Sequence, residues 1–260
     1  GASIGLAFVL ALVLGPVLAG WVGVPGIFAI TAVLAVLAIP LLVFGVPKAP
    51  TLDHSGDHSA AERVKLVLGN TDLLRLDLGI FCLHAMLTAS FLVIPFSLRD
   101  AAGISESGHW AIYLPVLLAS LALMVPAMLY AERNAKVRPF FLAAIVVLGA
   151  TQLLLAQGHM RLPLLVLGLL MFFVAFNFLE ANLPSLISRL APPDCKGTAM
   201  GVYSSCQFFG TALGGAVGGS LLAKYGITGV FTGCALLSVF WLILSWHITP
   251  PAPRSAAAEA

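Results

Sequence analysis

The sequence predicts an all-α polytopic membrane protein with eight transmembrane helices, and three observations carry that reading. Of the 260 residues, 60% are hydrophobic and only 9% charged, with a mean hydropathy of +1.04. In soluble domains roughly a quarter of residues are charged, so this composition is that of a bilayer protein. Apolar runs of the ~20 residues that a crossing helix needs recur along the chain. The basic residues sit in alternate loops between those runs.

Residues 1–47 contain no Asp, Glu, Lys or Arg. As one helix rising 1.5 Å per residue, such a stretch would be about twice the ~30 Å hydrocarbon thickness, and Pro25-Gly26 divides it into two spans. Residues 47–75 form a polar linker opened by Pro47 and Pro50. Within it Ser59-Ala-Ala-Glu62 has capping-box spacing ahead of Val64, Leu66, Val67 and Leu68, which predicts a short amphipathic helix on the cytoplasmic membrane surface. Six further spans follow at 76–98, 108–130, 139–157, 162–188, 198–223 and 227–248. The 249–260 tail, rich in Pro and Ala, reads as disordered.

The loops at 47–75, 131–138 and 189–197, with the tail, hold Lys48, Arg63, Lys65, Arg75, Arg133, Lys136, Arg138, Arg189, Lys196 and Arg254. The opposite set holds Arg99, Arg161 and Lys224. Cytoplasmic loops carry the excess of Lys and Arg, so the long linker and the C-terminus are expected to face the cytoplasm. Cys82, Cys195, Cys206 and Cys234 show no C-x-x-C spacing and imply no disulfide framework.

The chain also repeats itself. Gly1-Ala-Ser-Ile-Gly5 and Gly197-Thr-Ala-Met-Gly201 each open a span that runs into a small-residue cluster, Gly15-Pro-Val-Leu-Ala-Gly20 and Gly214-Gly-Ala-Val-Gly-Gly219. Beyond the turn, Gly23, Gly26 and Phe28 answer Gly226, Gly229 and Phe231. Four spans lie between the copies, so the repeat unit is six spans long and the first copy holds only its last two; about four helices are expected to precede Gly1.

Gly15-Pro16-x-x-Ala19-Gly20 resembles the glycine-proline motif in the fifth helix of drug:proton antiporters of the major facilitator superfamily. The segments Leu78-Gly-Ile-Phe-Cys-Leu-His84, Phe176-Asn-Phe-Leu-Glu-Ala-Asn-Leu-Pro184 and Lys196-Gly-Thr-Ala-Met-Gly201-Val-Tyr203 are similar to its YajR-like bacterial branch. The resemblance covers essentially the whole chain. It implies a major facilitator fold in which residues 1–46 are the last two helices of the N-terminal half and 76–248 the complete six-helix C-terminal half. It also implies that Gly15, Pro16 and Gly20 form a conformational motif, with a simple packing kink as the structural alternative. Glu132, Arg133 and Lys136 echo the family's loop motif G-x-x-x-D-R-x-G-R-K, with Met128 and Ala135 in place of its glycines.

Glu180 is the one Asp, Glu, Lys or Arg well inside a span. A charge at mid-helix costs roughly 2.5 to 3.5 kcal/mol on insertion scales, and such residues are functional by default. Asn177, three residues earlier, shares its helix face and is expected to bind one polar group with it. His84 lies on a face with Phe81, Thr88 and Phe91 and could exchange protons near physiological pH. Asp77 is close enough to the cytoplasmic interface that solvated capping or pairing is expected of it. Tyr203, Gln207, Gly210, Gly214 and Gly218 form one stripe whose glycines permit close helix packing, while Gln152 is expected to bond a neighbouring helix. Interhelical bonding is the structural alternative for each of these polar residues.

His54, Asp57 and His58 read as ordinary solvated loop, so no metal is expected, and no cofactor. H-E-x-x-H and the phosphate-binding G-x-x-x-x-G-K-[ST] are missing, and no patterned basic surface points to nucleic acid. The expectation is a non-enzymatic, multi-pass transporter of the bacterial inner membrane, exporting a small amphipathic solute in exchange for protons. Its partners would be solute, protons, lipid and further helices of the same protein. Glu180, Asn177, His84, Tyr203 and Gln207 are the cavity candidates. A proton-coupled importer, and an intramembrane enzyme using Glu180 and His84 as acid and base, are the alternatives.

Overall fold

A computed structural model describes residues 2–46, 59–105 and 108–248. The elements are α1 (Ala2–Gly45), α2 (Ala60–Gly69), α3 (Thr71–Ala102), α4 (Trp110–Arg133), α5 (Val137–Gly158), α6 (Leu162–Leu190), a 3-10 turn (Pro193–Cys195) and α7 (Lys196–Ser245). Among the described residues there is no strand. Six of the helices are long and apolar enough to cross a membrane. Two of these are broken by a single non-helical residue, Gly23 in α1 and Gly226 in α7, which makes eight rods. The linker around His54, Asp57 and His58 and the 249–260 tail lie outside the described residues.

The two breaks have nearly the same backbone. Gly23 sits at φ 69°, ψ 173° and Gly226 at φ 67°, ψ −168°, a region only glycine enters freely. Three residues on, a Cβ added at Gly26 would strike Val22, and one added at Gly229 would strike Tyr225, in each case the residue one turn back. The repeat seen in sequence is therefore a repeat of turn geometry. The first break falls at Gly23, two residues before the expected Pro25-Gly26. Proline is accommodated in the first turn of a helix, so Pro25 opens the second rod, and the left-handed glycine makes the turn.

α1 belongs to one compact unit and α2 to α7 to another. α1 runs helically through Gly15, Pro16 and Gly20, and a Cβ at either glycine would meet nothing within 4 Å. Its second rod, residues 24–45, carries no charged residue, as an apolar helix facing lipid or other protein would.

In the larger unit, α2 starts on a complete capping box: the Ser59 hydroxyl accepts from the Glu62 N–H, and the Glu62 carboxylate accepts from the Ser59 N–H. Asn70 ends α2 and caps α3, its side-chain oxygen accepting from the N–H groups of Asp72 and Leu73. The third of the eight spans thus begins at Thr71, five residues before the reading from hydropathy, because the polar Asp72 and Arg75 belong to its first turns. Gly103, at φ 64°, closes α3 with a left-handed C-cap.

Between α3 and the first rod of α7 the backbones nearly touch. A Cβ added at Gly210 would collide with the carbonyl of Phe81, one at Gly214 with that of Ala85, and one at Gly218 would lie 3.0 Å from the Ala89 Cβ. The matching of rising numbers shows the two rods running parallel. Small residues are the means of helix association where lipid supplies no hydrophobic drive. Gln152 on α5 donates to the Ser90 hydroxyl on α3 at 3.1 Å, the expected interhelical bond. At the end of α7, Arg75 donates to the His247 carbonyl (3.4 Å) and Arg138 to that of Trp246 (2.5 Å), so cations from two neighbouring helices cover carbonyls a helix end leaves open.

Candidate functional site

The glycine seam brings three helices to one polar cluster. α6 supplies Glu180, α3 supplies His84, and α7 supplies Gln207 and Tyr203 just before the seam glycines. Glu180 is 7% exposed. The Gln207 amide nitrogen lies 2.8 Å from His84 Nε2 and 3.4 Å from Glu180 Oε1. His84 Nδ1 stands 3.9 Å from Glu180 Oε2, an approach without a hydrogen bond.

These distances specify a tautomer. With the Gln207 amide donating, His84 Nε2 is the acceptor, so the neutral ring carries its hydrogen on Nδ1, facing the carboxylate. Phe176 lies 5.8 Å from the imidazole, centroid to centroid, and Phe172 stacks on Phe176 at 5.8 Å. This wall keeps the local dielectric low and makes each change of charge inside it matter more.

Asn177 and Glu180, expected to bind one polar group together, meet different neighbours in this structure. The Asn177 amide donates to the Ser120 hydroxyl of α4 at 3.0 Å. A difference of three positions turns a helix by about 300°, and here the remaining 60° is enough to send the two side chains to different neighbours. Ser120, a lone hydroxyl in an apolar run, gave no signal of this role; it also donates to the Leu117 carbonyl.

Asp77 overturns its expected solvated role. It is 2% exposed, and neither carboxylate oxygen has a hydrogen-bond partner. Position near a span's end implied water, but the Asn70 cap starts α3 earlier and carries Asp77 into the packed interior. The Tyr203 hydroxyl, on a residue 4% exposed, is likewise without a hydrogen-bond partner.

The loop-motif residues are elsewhere. Glu132, Arg133 and Lys136 are exposed at the α4–α5 turn, and the Lys136 ammonium lies 5.6 Å from the Tyr130 ring centroid. Ala135 takes φ 53° there, a conformation that favours glycine and accounts for the glycine of the family pattern at that place. Gly15 and Gly20 lie in the unit that holds α1. Among the described residues, no group of His, Cys, Asp or Glu is arranged to hold a metal ion.

Set beside known proteins, residues 76–260 match the model of the Major Facilitator Superfamily. The chain is 36% identical over 252 residues to the inner membrane transport protein YajR of Escherichia coli K12, covering 96% of this chain and 55% of YajR. It is 28% identical over 250 residues to an uncharacterized transporter of Buchnera aphidicola subsp. Baizongia pistaciae, covering 94% of this chain and 63% of that protein. To the multidrug resistance protein MdtH of Aeromonas hydrophila it is 27% identical over 203 residues, covering 77% of this chain and 47% of that protein. The chain spans about half the length of these relatives. With its eight apolar rods, its glycine-seamed bundle and this match over residues 76–260, the chain is a multi-pass membrane protein and belongs to the Major Facilitator Superfamily.

Proposed function

We propose that this chain is part of a proton-coupled secondary transporter that exports a small amphipathic solute across the bacterial inner membrane, its C-terminus on the cytoplasmic side. The observation that carries the reading is the buried cluster of Glu180, Gln207 and His84, which spans three helices and contains two groups able to take up a proton. Secondary transporters bind coupling ions near the bilayer midplane between helices that rock against each other. The family supports transport, the name of MdtH supports a drug-like solute, and the name of YajR supports the inner membrane. The glycine-proline motif at Gly15, Pro16 and Gly20 supports antiport by resemblance alone.

The geometry suggests how a proton would change the cluster. A proton on His84 Nε2 turns an acceptor into a donor, and it then opposes the donor of Gln207 at 2.8 Å. The amide must rotate to present its oxygen, which removes its donor from Glu180. A proton on Glu180 instead neutralises the charge and leaves one oxygen able to donate. Either event rearranges contacts among α3, α6 and α7, the coupling of charge to packing that a two-state transporter requires. At 3.9 Å the His84 and Glu180 atoms stand outside the ~2.6 to 3.2 Å reach of direct acid–base work, which favours transport over an intramembrane enzyme.

The test is flux in proteoliposomes with the intact protein oriented and a pH gradient imposed. A fluorescent amphipathic amine should leave the cytoplasmic-equivalent compartment when protons flow toward it. Flux indifferent to the gradient would reject proton coupling, and flux in the same direction as the proton would reject antiport.

A further inference from the structure

We propose that Asp77 is a further proton-binding group of the α3–α6–α7 bundle, beside Glu180 and His84. The inference rests on the proton-coupled reading of Glu180 and extends it toward the end of α3 where the chain enters the bundle.

Two observations meet here. Asp77 is 2% exposed with both oxygens unbonded, and a bare carboxylate in such a place is costly unless it takes a proton or finds a partner. The buried Tyr203 hydroxyl of α7 is also without a hydrogen-bond partner, so it does not satisfy Asp77. A carboxyl group buried without a partner is completed by a proton.

No cation takes the proton's place. On α3, Arg75 pairs with Asp72 at 2.8 Å and donates to the His247 carbonyl, and His84 is engaged with Gln207 two turns further on. On α6 the groups are Glu180 and, near the end of the helix, Arg189, neither of which hydrogen-bonds to Asp77. On the first rod of α7 they are Tyr203 and Cys206, which are likewise not hydrogen-bond partners of Asp77. The second rod brings Trp241 and Ser245, which are neutral. α2 packs through Val67, and its Glu62 and Lys65 are exposed, with Arg63 half-buried.

Infrared difference spectroscopy of the intact protein in lipid, recorded across a pH titration, needs no solute and reads protonated carboxyl groups directly. Two carbonyl bands are expected to titrate, one absent in Asp77→Asn and the other absent in Glu180→Gln. If Glu180→Gln deletes a band while Asp77→Asn changes none, this proposal falls and the coupling role of Glu180 stands. If only Asp77→Asn deletes a band, Asp77 binds a proton and the reading of Glu180 falls instead. Should Asp77→Asn not reach the membrane, Asp77→Glu must shift the band; an unmoved band overturns the assignment.

Discussion

The first rod of α7 has two stretches of opposite character on one stripe. From Gly210 to Gly218 it lies against the α3 backbone so closely that no side chain fits between them. From Tyr203 to Gln207, one to two turns earlier, it faces buried polar groups of which several are unbonded. Packing that has one solution is rigid, whereas a polar cluster with spare donors and acceptors has several arrangements of similar energy. A transporter needs both on one helix: a seam that transmits movement, and a site whose protonation selects among arrangements.

The contrast makes graded predictions. Gly214→Val should do the most damage, because its side chain would occupy the place of the Ala85 backbone. Overpacking of this kind costs typically ~1 to 3 kcal/mol or more, and thermal unfolding in detergent should show a lower midpoint and reduced membrane yield. A midpoint equal to wild type would mean the seam is loose. Gln207→Leu should be nearly silent in that assay yet alter transport, since it removes the amide joining His84 to Glu180; the flux profile against pH is the check.

Smaller effects are expected at polar pairs outside the cluster. Gln152→Leu leaves the Ser90 hydroxyl without its partner and should lower stability by about 0.6 kcal/mol, at most ~1.7, the range for interhelical bonds in membranes. Asn177→Ala should be similar in stability and leave the pH dependence of flux unchanged, because Asn177 bonds Ser120 rather than Glu180. A shifted pH profile in Asn177→Ala would place it in the cluster after all.

Much of this organisation is legible from residues alone, for definite reasons. Gly23 and Gly226 stand at matching places in the repeat because both turns need a left-handed residue, so a backbone requirement left a mark in the sequence. The stripe from Tyr203 to Gly218 is visible because helical periodicity and small size together leave one reading. Glu180 is conspicuous because a charge inside a span has few reasons to be there. What stayed hidden depends on neighbours distant in sequence. The spacing of Asn177 and Glu180 is compatible with one shared face, and only the placement of α4 shows Asn177 meeting Ser120. Asp77 reads as solvated in sequence because hydropathy places the span's start at 76, whereas the Asn70 cap starts it at 71 and buries Asp77.

Replacing Glu180 by glutamine while following solute flux against pH, with expression and unfolding temperature measured alongside, bears on the coupling role of the cluster. Glutamine keeps the size and a hydrogen-bonding oxygen but cannot change charge, so it imitates the protonated form. The protein should reach the membrane at normal levels and unfold near the wild-type temperature, while the pH dependence of flux flattens. Glu180→Ala should behave worse in both respects, because it also leaves the Gln207 donor unmatched. A Glu180→Gln protein whose flux follows pH as the wild type does would remove this carboxylate from proton coupling. Loss of expression in both variants would make it a structural residue.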